Sequence, residues 1–366
     1  MTTAPRVVRI AVAAVLLTLA ASCTPPAPPE EEVAGIVVKT RTAETDPLSI
    51  DSVLHSMEGP WQRVVLDPSD IGWITAFRTE VVDAATGQRL GDEFFCHSQL
   101  QLATSARLAV AATGVDEIRF PEGFGLPIEE IIADMQAPWN EISMLGMVLN
   151  NHGAEPEGDV RLRFTVEYVP PGDYDEGAMQ KLYKASVPVV PNLEHQAAES
   201  ASWERGDTVV LAGEDLHPVG LPETTMGKPG HWMVPPGRQV IRQRYRNLIG
   251  IDTRVHYGIV HMHNHGVSMK LTDLTDDRVL WETELQYEAG TDRVQIVEIP
   301  VYSSRAGFVL HNDHEYEIES VYDNRGSEPM DAMAVMYLYH HPLNNERITF
   351  PIPRTPRGEM PDSDRR

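Results

Sequence analysis

The chain has 366 residues, a formal net charge of −24 and 42% hydrophobic residues. This length exceeds one ordinary hydrophobic core and predicts two globular domains, while the hydrophobic content excludes a wholly disordered chain. A strongly acidic protein is repelled by phosphates, so the charge argues against nucleic acid or an anionic membrane face as the partner.

The N-terminal residues 1–22 predict an export signal. Arg6 and Arg9 precede an apolar run over residues 10–21, which ends just before Cys23. A basic segment, a short apolar segment and small residues before a cleavage point are typical of secretion signals, and twelve apolar residues are too few to span a bilayer stably. Residues 19–23 resemble a bacterial lipoprotein signal, which implies acylation of Cys23. A plain secretion signal with an incidental cysteine is the alternative.

Acylation of Cys23 predicts a protein of the bacterial cell envelope, on its periplasmic or outer-surface side. The lipid would be its contact with the membrane, and an envelope protein complex is a further candidate partner. Residues 23–44 begin with a stretch rich in proline and glutamate, which predicts an extended tether between the lipid and the folded domains.

Apolar and polar residues alternate along most of the remaining chain, which predicts β-strands. Two hairpins are predicted, one from residues 73–82 and 94–102, the other from 143–149 and 160–168. Further strands are predicted at residues 239–245, 254–263, 268–271, 279–284, 293–299, 315–322 and 332–339. The best helix prediction, over residues 128–135, is short. The pattern indicates an all-β protein with two antiparallel, jelly-roll-like β-sandwich domains in tandem.

The alternation stops between residues 190 and 230, where proline, glycine and polar residues dominate. We therefore predict a first domain at residues 45–190, a linker at 191–206 and a second domain at 207–353. Residues 354–366 are polar, contain proline and predict a loose tail.

Four histidines fall within ten residues of one predicted strand: His256, His261, His263 and His265. Alternate residues of a strand share a face, at about 6.7 Å per step, so His261, His263 and His265 are predicted to project together. Imidazole suits zinc, copper, iron or nickel. The alternative is a solvated strand face that happens to carry histidines.

Methionines follow near the end of the second domain, at Met330, Met333 and Met336. A thioether is a soft ligand, so a methionine beside the histidines would favour copper over zinc. Taken alone, methionines more often fill a hydrophobic core.

The His-x-His strand, followed by a Tyr-Asp-Asn stretch and a methionine that opens the last strand, resembles the copper type II, ascorbate-dependent monooxygenases. Further similar segments lie in the first domain, at residues 81–87, 95–97, 120–127, 149–151 and 160–165. The resemblance implies one copper in each β-sandwich. It also implies that His261, His263 and Met333 hold the oxygen-activating copper, whereas His256 and His265 match no ligand of the family.

The first domain departs from that family at Cys96 and His97, where the family has two adjacent histidines. The third histidine of that site would lie near Val148, and none is present. A thiolate and an imidazole could hold copper, but neighbours in a strand point to opposite faces, so both could bind one ion only at a bulge or irregular turn. The alternative is a structural remnant of such a site. We therefore predict one copper ion in the chain, and a second only if Cys96 and His97 bind it.

Three functions follow from these residues. The resemblance implies hydroxylation of a C–H bond, in an unknown small-molecule or peptide substrate, with dioxygen. The alternatives are a non-catalytic accessory or binding subunit of an envelope complex, and a copper carrier. Four other histidines, which lie near predicted loop ends, are predicted to be solvated: His311, His314, His340 and His341.

Overall fold

The computed structural model describes residues 36–50, 62–102, 106–135, 141–148, 150, 158–174, 177–189, 208–211, 232–246, 248–290 and 294–344. The export signal, Cys23, the predicted linker 191–206 and the tail 354–366 lie outside the described residues, so these assignments stay predictions. Within the described ranges, no helix is long and apolar enough to cross a membrane.

The first half of the described chain is built from short and medium strands, with one α-helix, α1 (Ile128–Met135), and a 3-10 turn at Asp92–Phe94. The strands are β1 Lys39–Glu44, β2 Gln62–Leu66, β3 Trp73–Asp83, β4 Phe95–Leu102, β5 Ala106–Ala112, β6 Glu117–Arg119, β7 Phe124–Pro127, β8 Ile142–Val148, β9 Val160–Val169, β10 Gln180–Lys181 and β11 Tyr183–Pro188.

The second half continues the same kind of structure. Its strands are β12 Thr208–Leu211, β13 Trp232–Val234, β14 Gly237–Arg246, β15 Thr253–Met262, β16 Gly266–Asp273, β17 Arg278–Glu284, β18 Gln286–Tyr287, β19 Ile296–Glu298, β20 Tyr302–Leu310, β21 Glu315–Asn324, β22 Met330–Ala332 and β23 Ala334–Pro342.

Two sheets of the first half pack face to face. Sheet 1 has the order β1-β9-β3-β7-β10, with β6 also paired to β3, and sheet 2 has the order β2-β8-β4-β5. A Cβ atom on Gly146 of β8 would lie only 2.6 Å from Cδ1 of Leu162 of β9, so a larger residue there would require the Leu162 side chain to shift. The buried hydroxyls of Thr79 and Ser98 also lie 2.6 Å apart across the same interface.

Two further sheets form the second half. Sheet 3 has the order β11-β23-β15-β20, and sheet 4 has the order β12-β14-β21-β16-β17. Gly258 of β15 faces the Trp281 ring of β17 at 2.8 Å from its ideal Cβ position, and the Tyr245 hydroxyl of β14 donates to the Pro188 carbonyl of β11. The pairings are antiparallel except for two short ones, β7 with β10 and β12 with β14. The predicted all-β fold of antiparallel β-sandwiches is confirmed.

Both predicted hairpins are wrong, although all four strands exist. β3 pairs within sheet 1 and β4 within sheet 2; likewise β9 belongs to sheet 1 and β8 to sheet 2. The turn after β3 does form, because the Asp83 carboxylate accepts the Thr86 N–H at 2.6 Å and Gly87 takes a left-handed φ of 71°. The chain then crosses to the facing sheet through the 3-10 turn at Asp92–Phe94.

Two pairings bear on the predicted division of the chain. β1, which forms the end of the predicted tether, runs along β9 as an edge strand of sheet 1. β11, which closes the predicted first domain, is hydrogen-bonded along β23, the last strand of the second half. All the described residues belong to one compact unit.

Aromatic side chains fill the interface between the two halves. The Phe120 ring lies 5.5 Å from that of Tyr257 and 4.9 Å from that of Tyr339, and Phe124 stacks on His256 at 4.1 Å. All five rings are at most 5% exposed. The halves therefore share a buried apolar interface, and the candidate site described next lies on it.

Candidate metal centre

The end of β15 carries the histidine pair predicted from the sequence. The His261 and His263 ring centroids lie 5.3 Å apart, and His261 is 5% exposed. Two imidazoles that share one ion, with metal–nitrogen distances of about 2.1 Å, place their ring centres about 5–6 Å apart. The spacing therefore fits a common metal ion. His265 lies instead in the turn after the strand, at a left-handed φ of 63°, which takes it out of the predicted alternation.

The regular pairing of β15 with β23 ends at Met262 and Ala334. One step further along both chains, the same register sets His263 opposite Met333. The Tyr322 hydroxyl connects the two backbones, since it accepts the N–H of His263 at 3.2 Å and donates to the carbonyl of Met333. Directly opposite residues of an antiparallel pair share a face, so Met333 is placed on the side of the sheet that carries His263.

The other predicted methionines have different surroundings. Met336 is fully buried within β23, as core filling requires, and Met330 begins β22 opposite Val234 of β13. Met330 and Met333 are both only partly buried against the core. The link through the Tyr322 hydroxyl to the backbone of His263 is what favours Met333 as a residue that could reach a metal beside the histidines.

His97, from sheet 2, lies next to this pair. Its ring centroid is 5.6 Å from that of His261, so the structure brings one predicted site of the first half against the site of the second. The pairing of β4 with β8 shifts between Phe95 and His97, which makes Cys96 the extra residue of a β-bulge. The Cys96 sulfur lies 3.0 Å from Nδ1 of His97. Neighbouring residues of a regular strand point to opposite faces, so this bulge is what allows the Cys96 and His97 side chains to come together.

Met147 is a sulfur side chain that the sequence analysis missed. It lies opposite His97 in the β4–β8 register and forms a small buried cluster with Cys96. Its position in the sequence could have indicated it, since Met147 stands one residue before Val148, where the resemblance predicts a third ligand and histidine was the only residue considered.

Asp331 of β22 lies beside His263, with Oδ2 at 3.3 Å from Nδ1 of the imidazole. A carboxylate at the second ring nitrogen is the usual outer partner of a metal-binding histidine, because it fixes the ring and its tautomer. In this arrangement Nε2 of His263 is the atom that would bind a metal.

His256 of β15 and His340 of β23 lie at the ends of these strands away from His263, and we assign them structural roles. His256 is the extra residue of a bulge in β15, and burial lowers its pKa to about 4. His340 is 2% exposed, with Nδ1 at 2.7 Å from the Thr253 hydroxyl, and burial lowers its pKa to about 3. The predicted solvation of His340 is wrong, because the strand continues to Pro342 and carries it into the core.

Asp273, Asp276 and His314 form the one group of three His, Cys, Asp or Glu residues, within the described ranges, whose ligand atoms all lie within 4.8 Å of one another. Asp273 is fully buried and already accepts the N–H groups of Thr275 and Asp276, while its other oxygen lies 2.8 Å from Nδ1 of His314. That hydrogen bond raises the pKa of His314. Since both oxygens of Asp273 hold the turn together, we assign this group a structural role.

No family model and no curated protein matches the chain. Among solved structures, it is similar to PNGase F, a glycosylasparaginase from Flavobacterium meningosepticum, with 10% identity over 83% of this chain and 96% of that one, at a TM-score of 0.34. PBCV-1 VP54 is 9% identical over 83% and 93%, with a TM-score of 0.34. STIV MCP is 9% identical over 83% and 97%, with a TM-score of 0.28.

The predicted resemblance to the copper type II monooxygenases is wrong. The structural neighbours are PNGase F and viral proteins, and no family model or curated protein supports the assignment. The motifs that carried it, a His-x-His strand and a methionine near the last strand, are short. Side chains alternate between the two faces of any β-strand, so such short motifs can arise in a strand of a protein outside the family.

Proposed function

We propose that this protein binds copper on the bacterial cell envelope and holds it for storage or delivery. The observation that carries the proposal is the pair formed by His261 and His263, with ring centroids 5.3 Å apart, beside Met333, whose backbone is joined to that of His263 through the Tyr322 hydroxyl. Imidazole alone would suit several transition metals, and the thioether favours copper among them.

Each residue in and around the histidine pair has its own role in the proposed copper site. His261 and His263 would hold the ion, and Asp331 orients the His263 ring through its Nδ1. The Tyr322 hydroxyl, fully buried, ties the backbone of His263 to that of Met333. The ligands are thus borne by backbone segments that are fixed to each other, which a preorganised site requires.

The purified mature protein, loaded with Cu(I) under reducing conditions and freed of excess metal, is expected to retain about one copper per chain by elemental analysis. Retention of no copper would contradict the proposal and leave the accessory-subunit hypothesis. Copper-loaded protein that consumes oxygen in the presence of ascorbate would indicate oxygen activation rather than storage or delivery.

We also propose that the protein is exported and anchored by a lipid on Cys23. The basic and apolar segments before that residue support export, and its position after small residues supports acylation. A lipid anchor would place the copper site outside the cytoplasm.

Replacement of Cys23 with serine is expected to move the protein from the detergent phase to the aqueous phase in a detergent phase separation, because the acyl chains supply the membrane affinity. Cys96→Ser is the matched control, and it should partition as the unsubstituted protein does. Equal partitioning of Cys23→Ser and the unsubstituted protein would contradict lipidation.

A further inference from the structure

We propose that the two halves of the chain build a single copper centre, in which His97 of sheet 2 is the third imidazole beside His261 and His263 of sheet 3. This inference rests on the proposed function and extends it. The sequence alone predicts separate sites in the two halves, whereas the structure sets their histidines side by side.

The three rings form a row with His261 in the middle. The centroid of His261 is 5.6 Å from that of His97 and 5.3 Å from that of His263. Both separations match two imidazoles on one ion. The ring nitrogens of His97, His261 and His263 do not all lie within 4.8 Å of one another, so the proposed centre requires the outer rings to rotate inward when copper binds.

Each outer ring has its Nδ1 atom beside a neighbouring side chain. Nδ1 of His97 lies 3.0 Å from the Cys96 sulfur, and Nδ1 of His263 lies 3.3 Å from the Asp331 carboxylate. Because these contacts engage Nδ1, Nε2 would be the ligand atom of both rings in the proposed centre. Cys96 and Asp331 are therefore positioning residues, and the bulge in β4 is what lets Cys96 turn toward His97.

A methionine stands across the strand pair from each outer histidine. Met147 lies opposite His97 between β8 and β4, and the Tyr322 hydroxyl joins the backbone of Met333 to that of His263, one residue beyond the last pair of β15 with β23. The site thus combines three imidazoles with two thioethers, one thioether from each half. Thioethers are soft ligands, so this set selects Cu(I) over zinc and over the hard divalent cations.

The test is competition between the full mature protein and a chromogenic Cu(I) chelator under anaerobic, reducing conditions. His97→Ala should weaken Cu(I) binding by more than the about 10- to 100-fold that loss of an outer partner costs, because a ligand is removed. The matched control is His311→Ala, whose ring lies beside His314 outside the row and whose loss should leave the affinity unchanged.

Comparison with His263→Ala separates the two proposals. If His263→Ala loses affinity while His97→Ala binds Cu(I) like the unsubstituted protein, the shared centre is wrong and the proposed function stands. If both variants bind Cu(I) as tightly as the unsubstituted protein, the copper site itself is wrong.

X-ray absorption of the Cu(I) protein gives a second readout, which reports the ligand atoms directly and not the affinity. Nitrogen and sulfur scatterers together are expected at the copper, with fewer sulfur scatterers in Met147→Leu, which keeps the volume of the side chain but removes its sulfur. Sulfur scattering unaffected by Met147→Leu, together with only two nitrogen neighbours, would overturn the shared centre.

Cys96→Ser should retain most of the affinity, since a hydroxyl can still hold Nδ1 of His97, whereas Cys96→Ala should weaken binding.

Discussion

His263→Ala is expected to lower the copper affinity of the mature protein by more than about 100-fold, since loss of an outer partner alone costs about 10- to 100-fold. His263 makes several contacts in the site: its ring is next to His261, its Nδ1 is beside Asp331, and the Tyr322 hydroxyl joins its backbone to that of Met333. Under the proposed function, the substitution would remove a copper ligand and the ring that Asp331 contacts. The measurement is the dissociation constant from chelator competition.

His340→Ala is the control for that measurement, because it removes a buried imidazole from a neighbouring strand. It should leave the copper affinity almost unchanged. It should lower the free energy of unfolding by about 1–3 kcal/mol, since the Thr253 hydroxyl loses its contact with Nδ1 at 2.7 Å and keeps only its bond to the His341 carbonyl. Equal losses of affinity in the two variants would show that the effect of His263→Ala is general destabilisation and not loss of a ligand.

Phe120→Ala is expected to lower the free energy of unfolding by about 3–5 kcal/mol, the usual cost of removing a buried phenylalanine ring. The ring is 5% exposed and packs against Tyr257 and Tyr339 of the other half, so the cavity would open at the interface between the halves. Urea unfolding followed by tryptophan fluorescence measures the change.

Phe308→Ala is the matched control, because this ring is only partly buried on the edge strand β20. Its effect should be clearly smaller. If Phe120→Ala is no more destabilising than Phe308→Ala, the aromatic contacts do not hold the halves together. A transition that splits into two for the unsubstituted protein would contradict the shared core in the same way.

Most of the strands that sequence predicts well have one buried face. β14, β17 and β21 lie within three residues of their predicted bounds, since burial on one side forces the alternation that the sequence reveals. β15 is predicted equally well, although it is buried along almost all of its length. β20 was missed, because its residues 302–310 are almost all partly exposed and no alternation survives at the edge of sheet 3. The two hairpins were predicted wrongly for another reason. Turn residues determine the direction of the chain locally, but the sheet that the next strand joins is determined by contacts between residues distant in sequence.

The candidate site was foreseen only in part. Alternation was sufficient to pair His261 with His263, because that pairing is local to one strand. The approach of His97 to His261 joins strands from different halves, which no local pattern encodes. Met147 was missed because a histidine was sought at that place, and the bulge at Cys96 depends on the register of β4 with β8, which only the folded sheet defines.

The pairing of β11 with β23, the last strand of the chain, has a consequence for biosynthesis. β11 leaves the ribosome long before β23 is made, so sheet 3 cannot close until synthesis of the chain is nearly complete. Such distant pairing slows folding and leaves a strand edge exposed to aggregation in the meantime. A chain that is still being synthesised therefore keeps β11 unpaired until its last strand arrives, and fragments that end near residue 190 would lack that partner altogether.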